Sequence, residues 1–92
     1  MESKTKKQQK PKWFNGTIYE FGEVVTNPFS GQKYELNGLE LSIYDFIMGS
    51  QMVLESLGGP FNAKTQDIQK DMAKGLTWFR VNNSEAYMIL LD

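Results

Sequence analysis

Cysteine and histidine are both missing from this chain of 92 residues. Without cysteine there is no disulfide, no thiolate metal site and no thiol nucleophile. Without histidine the commonest general base and metal ligand are gone, and with them Ser-His-Asp triads, HExxH zinc sites and His-assisted phosphate chemistry. Long apolar runs are also missing. The longest is Ala86-Tyr87-Met88-Ile89-Leu90-Leu91, far below the roughly 20 residues of a spanning helix. The basic N-terminus is not followed by an apolar stretch at signal-peptide distance. The expectation is therefore a cytoplasmic protein without a membrane segment. Gly58-Gly59-Pro60 lacks the Gly-Lys-Ser/Thr of a phosphate loop, and its proline deletes an amide donor. No motif that remains names a reaction, so the expectation is a non-enzyme with no cofactor and no metal.

What the chain does hold is aromatic side chains: six Phe, four Tyr and two Trp, or 13% of residues. These suit a small core and argue against wholesale disorder. The length suffices for one domain. Charge is segregated. Residues 1–12 carry five lysines against one glutamate, a balance of +4. The remaining residues carry five basic and ten acidic groups, a balance of −5, which brings the whole to −1. Residues 1–11 have no apolar side chain besides Met1 and Pro11, so they read as a disordered basic arm ahead of a single domain over 12–92.

From Trp13 to Ser42 the signals are β. Asn37-Gly38 between Lys33–Leu36 and Leu39–Ser42 reads as a type I′ hairpin, with Leu36 facing Leu39 and Tyr34 facing Leu41. Glu35 would then oppose Glu40 on a solvated face. Asn27-Pro28-Phe29-Ser30-Gly31 reads as a loop joining strands near Glu23–Thr26 and Gln32–Leu36. Thr17, Tyr19 and Phe21 alternate as in a further strand, which loses phase at Gly22.

Helical spacing follows. Ser42 reads as an N-cap with Asp45 reaching back, and Leu41 with Phe46 as a hydrophobic staple. Ile43, Phe46, Ile47, Val53, Leu54 and Leu57 form a broad apolar face, and Gly58 ends it in the left-handed cap position. Gly49, mid-helix, suggests that another backbone passes close by. A second helix spans about Thr65 to Val81, with Ile68, Met72, Leu76 and Phe79 inward and Asn62 or Thr65 as its cap. Asn82-Asn83 is its stop, and Ser84 caps a final apolar segment, read as helix over strand. The fold class is α+β: a three- or four-stranded antiparallel meander, then two or three helices packed on one face. Core candidates are Tyr19, Phe21, Val25, Tyr34, Leu36, Leu39, Leu41, Phe46, Ile47, Val53, Leu54, Ile68, Met72, Leu76, Phe79 and Leu90.

Two constellations have functional meaning. Met48 and Met52, with Tyr44 and Leu41, widen the first helix's apolar surface beyond one face. Such a helix is either central or meets a partner, and methionine adapts to irregular partners. Phe29 sits at a turn that needs no phenylalanine. It either folds back under the sheet or stands out as an anchor. Phe29, Tyr44, Met48 and Met52 are thus the candidate partner-binding residues, for a protein partner or a homodimer. The second constellation is Lys4, Lys6, Lys7, Lys10 and Lys12 with Trp13 at the end of the arm. Five phosphate contacts would give a salt slope of about −4 to −5, with Trp13 as a stacking platform. An acidic domain behind the arm favours a solubilising tail, and Trp13 and Phe14 suit packing on the sheet. The carboxylates Glu20, Glu23, Glu35, Glu40, Asp67 and Asp71 show no clustering in sequence.

Four strings carry a resemblance: Lys12-Trp13-Phe14-Asn15-Gly16-Thr17-Ile18-Tyr19, Val25-Thr26-Asn27-Pro28-Phe29-Ser30-Gly31, Ser42-Ile43-Tyr44-Asp45-Phe46-Ile47-Met48-Gly49, and Ala86-Tyr87-Met88-Ile89-Leu90-Leu91-Asp92. Over about residues 12–92 the chain resembles small uncharacterised proteins of marine bacteriophages, particularly myoviruses of cyanobacteria. The resemblance implies expression in the host cytoplasm and carries over no site residues. The combined expectation is a non-catalytic accessory factor that binds a host or phage protein, with nucleic-acid binding through the arm as the alternative.

Overall fold

The computed structural model describes residues 8–58 and 65–92. Expectations for residues 1–7, including Lys4, Lys6 and Lys7, and for the Asn62 cap lie outside the described residues. The elements are β1 (Glu23–Thr26), β2 (Lys33–Leu36), α1 (Gly38–Ser56), α2 (Gln66–Asn82) and α3 (Ser84–Ala86), which continues as a π-helix over Tyr87–Leu91. The class is α+β.

The sheet has two antiparallel strands among the described residues, not three or four. Val25 pairs with Tyr34 and Glu23 with Leu36. Directly opposite residues share a face, so this row turns Val25, Tyr34 and Leu36 toward the core. Val24, Thr26, Lys33 and Glu35 form the exposed row. The Asn27–Gly31 loop joins the strands as its turn chemistry requires, with Gly31 at φ +79°.

The Asn37-Gly38 hairpin and the strand after it do not form. Asn37 instead caps α1 from an extended conformation with φ −77°. Its Oδ1 accepts the Glu40 amide at 2.8 Å, and the Glu40 carboxylate accepts the Asn37 amide at 2.9 Å. This reciprocal capping box satisfies two amide donors at once. A type I′ turn would need positive φ at both central residues, and Asn37 does not have it. Gly38 is required for another reason: a Cβ there would collide with the Tyr19 carbonyl. Helix α1 therefore starts four residues before the expected Ser42 cap. Ser42 lies within the helix, donates to the Gly38 carbonyl at 2.8 Å and accepts the Tyr19 amide at 2.8 Å. Asp45 does not reach back to Ser42; its carboxylate accepts the Tyr19 hydroxyl at 2.8 Å.

Those two bonds also explain why Thr17–Phe21 is not a strand. The segment crosses the start of α1 and spends its groups there. Gly22 then lets the chain pass against the Leu36 carbonyl, where a Cβ has no room. Tyr19 and Phe21 are consequently exposed, Phe21 by 80%, and leave the expected core, as does Val53.

The core holds Leu36, Ile43, Ile47 and Phe79 at 2% exposure or less, with Phe14, Leu41, Trp78, Ala86 and Leu90 around them. Trp13 and Phe14 meet Phe46 of α1, with ring centroids 5.8–5.9 Å apart. Phe14 belongs to the same core cluster as Leu36 of β2, and Trp13 packs against it. Phe46 is thereby used in an aromatic trio and not in a staple with Leu41. The close helix approach is at buried Gly75, not at Gly49. An added Cβ at Gly75 would lie 2.8 Å from Ile47 Cγ1, whereas Gly49 has nothing within 4 Å. Leu57 is the C-cap of α1 and Gly58 follows at φ +96°, the expected left-handed stop. The last segment is helical, capped by Asn83 rather than Ser84: Asn83 Oδ1 accepts the Ala86 amide at 3.2 Å. Asp92 donates its amide to the Tyr87 carbonyl at 2.8 Å, which closes the π turn.

Candidate docking groove

The β1–β2 loop is built and aimed by Asn27. Its Oδ1 accepts the Phe29 amide at 2.8 Å and the Ser30 amide at 3.3 Å, an Asx turn. Its Nδ2 donates to the Ile89 carbonyl at 2.9 Å. One side chain thus shapes the loop and ties it to the π-helix. The Ile89 carbonyl lies in the last turn of this helix, where carbonyls have no intrahelical donor. Phe29 is left 97% exposed, so it does not fold back under the sheet.

Phe29 stands at the rim of a hollow of about 410 Å³. Tyr44, Met48 and Met52, four apart on α1, supply one wall, and Met72 and Leu76 of α2 supply another. Leu90 and Leu91 close it from the π-helix, with Pro28 and Phe29 above them. The four candidate partner-binding residues therefore line one concavity, from three different levels. Tyr44 is buried in its floor, Met48 is half-buried, and Met52 is 70% exposed. A second hollow of about 330 Å³ continues along the α1–α2 seam and shares Gln51, Glu55, Met72 and Leu76 with the first. Sequence reading placed Met72, Leu76 and Leu90 in the core and missed that their outer atoms form a wall. The Asn27 tether had no sequence signal beyond its place in a turn.

The groove is apolar with an acidic fringe. Among the described residues that line it, the charged ones are Glu55 and Asp92. The Tyr44 hydroxyl is shifted above its ordinary pKa by burial, and secondarily by the negative charge of Asp45. It stays a neutral donor at physiological pH. Among the described residues no three acidic side chains gather as a metal site. Asp71 pairs with Lys74, at 3.8 Å on the surface of α2.

The nucleic-acid candidates are arranged differently. Lys10 and Lys12 are exposed. Trp13 is half-buried and lines a shallow hollow of about 440 Å³ with Trp78, Lys74 and Val81. At the root of the arm, Gln8 donates to Glu40 Oε2 at 2.8 Å and accepts from Asn37 Nδ2 at 3.0 Å. No helix among the described residues is long and apolar enough to cross a membrane. Comparison with known proteins finds no matching family model, no matching curated protein and no matching solved structure.

Proposed function

We propose that this chain is a non-catalytic interaction protein that docks a protein partner in the Phe29–Met52 groove, and that it serves as an accessory factor in a phage-infected cell. The supporting observation is Phe29: an aromatic ring held out at 97% exposure, on a loop pinned by three Asn27 hydrogen bonds, over a methionine-lined hollow. An exposed aromatic on a fixed loop loses little further entropy on binding. Methionine walls accommodate an incoming side chain without a rigid template. Photo-crosslinking tests the reading. A benzophenone side chain at position 29, irradiated in cells that express the protein, should give a discrete adduct with one protein. The same probe at Val24, on the exposed sheet face, should not. Equal and diffuse labelling from both positions would refute docking here.

A second reading is single-stranded nucleic-acid binding by the arm, favoured by the Trp13–Trp78 hollow with Lys74 beside it. Because Gln8 bonds Glu40 and Asn37, truncation of the arm would also disturb the domain. Serine at Lys4, Lys6 and Lys7 is the cleaner test. Oligonucleotide binding at low salt should disappear in that variant, and binding that persists rules the arm out.

A further inference from the structure

Which partner suits the groove follows from its backbone chemistry and its charge. We infer that the occupant is an amphipathic helix with apolar residues at i, i+3, i+4 and i+7 and a basic outer face; this rests on the docking reading above. Both long walls are helices, α1 and α2, whose interior backbone groups are already paired. An extended peptide would find no strand edge there and would bury unpaired amides and carbonyls. A helix arrives with its own backbone satisfied. The two hollows together follow α1 from Tyr44 to Glu55, about 16 Å at 1.5 Å per residue, or three turns of a guest helix.

Charge selects the sign of the outer face. Glu55 and Asp92 are exposed at the groove, and none of the described residues that line the first hollow is a lysine or arginine. Basic side chains on the guest therefore meet carboxylates, and acidic ones are repelled. The chain's own arm has the right sign but no apolar side chain among residues 2–10, so it cannot fill the hollow. A second copy would bring the same acidic patch to itself, because a two-fold contact pairs a surface with its equal.

The probe is a helix-stapled, fluorescein-labelled peptide of about 14 residues, the length at which isolated helices are marginal without a staple. It carries leucines on one face and lysines on the other. Comparison peptides have glutamates for the lysines, or the same composition shuffled. With the full chain, fluorescence anisotropy should show the lysine-faced helix binding at least about tenfold tighter than either, a difference of about 1.4 kcal/mol. Met52→Lys should cost a similar factor with an unchanged melting temperature, since Met52 is largely exposed. Glu55→Lys should narrow the gap between the two charged faces. Equal binding of lysine and glutamate faces, both weakened by Met52→Lys, overturns the charge inference and leaves docking intact. Equal binding of the shuffled peptide, insensitivity to Met52→Lys, or no binding at all overturns the helix inference, and crosslinking from position 29 then judges docking separately. A dimer dissociated by Met52→Lys in sedimentation would make a second copy the occupant and overturn it too.

Discussion

Asn83 Nδ2 donates to Glu40 Oε2 at 2.8 Å, joining two buried polar side chains 43 positions apart. Glu40 is fully buried and takes three N–H donors, from Asn37, Gln8 and Asn83. Asn83 Oδ1 accepts the Ala86 amide and the Tyr34 hydroxyl. The start of α1, the end of α2, the start of α3, strand β2 and the root of the arm are thus joined by two side chains. Glu40→Gln keeps the shape but sets an amide NH2 against a converging donor. Leaving one buried neutral donor unpaired costs about 1–3 kcal/mol. At roughly 4–8 °C per kcal/mol for a domain of this size, a melt should fall by about 4 °C or more. A smaller fall than for Leu36→Ala is compatible; no fall at all would remove the network from any role in stability.

One carboxylate, that of Asp45, raises the pKa of two tyrosines. The Asp45 carboxylate raises the pKa of the Tyr19 hydroxyl above the ordinary 10, first by accepting its hydrogen bond and then by its charge. Tyr44 is raised mainly by burial and then by Asp45. A raised folded pKa means that the stabilisation is complete below pH 10 and is lost as pH rises through the folded value. Absorbance at 295 nm during alkaline titration should place the ionisation of Tyr19 and Tyr44 above the ordinary midpoint. Asp45→Asn should return Tyr19 close to its ordinary midpoint and leave Tyr44 with the part due to burial. Identical curves for the two proteins would contradict the assignment.

Gly49 and Gly75 should respond to alanine with opposite signs. Gly49 is exposed in the middle of α1 with open space around it. Alanine there should raise stability by about 0.5–1 kcal/mol. At Gly75 the new methyl meets Ile47, which is itself 2% exposed, and reaches Ile43 Cγ2 at 3.7 Å. Overpacking costs typically about 1–3 kcal/mol and exceeds the propensity gain. Chemical denaturation of both variants checks the pair, and a stabilised Gly75→Ala would show that the helices separate freely.

These positions also show what can be read from the sequence. β1, the Asn27–Gly31 loop, β2, the Gly58 stop and α2 were legible because each is written in neighbouring residues: alternation, turn chemistry, a cap, a helical period. Asn37-Gly38 was not, because Asn-Gly begins a hairpin in one context and Asn-x-x-Glu begins a helix in another. The contest is decided by distant partners, Tyr19 over Gly38 and Asn83 on Glu40. For the same reason Glu40 read as a solvated strand residue and is buried. Of the candidate groove, the α1 wall was visible as methionines outside the main stripe. The α2 and π-helix walls were not, since a half-buried core residue and a groove wall share one pattern.

Phe29→Ala should separate folding from docking. The ring is almost entirely exposed, so its removal should leave stability within about 0.5 kcal/mol. As an anchor it should carry about 2 kcal/mol or more of association. A thermal melt and an affinity measurement on the captured partner check both halves. Lost stability with normal association would end its role as an anchor.

The tether that aims Phe29 can be cut without undoing the turn. Asn27 supplies two functions through two atoms: Oδ1 accepts from Phe29 and Ser30, and Nδ2 donates to Ile89. Asn27→Asp retains an acceptor for the turn and replaces the donor by an oxygen facing a carbonyl oxygen. Asn27→Ala removes both functions. Amide hydrogen exchange should therefore find Phe29 and Ser30 still protected in Asn27→Asp and unprotected in Asn27→Ala. Both variants should weaken docking, because a loop freed from the π-helix must be ordered again on binding, at about 0.5–1.5 kcal/mol per immobilised side chain. The loss in Asn27→Asp isolates the Ile89 tether. If Asn27→Asp docks as tightly as the parent protein, the loop is aimed by its own turn alone, and the π-helix serves the groove only as a wall.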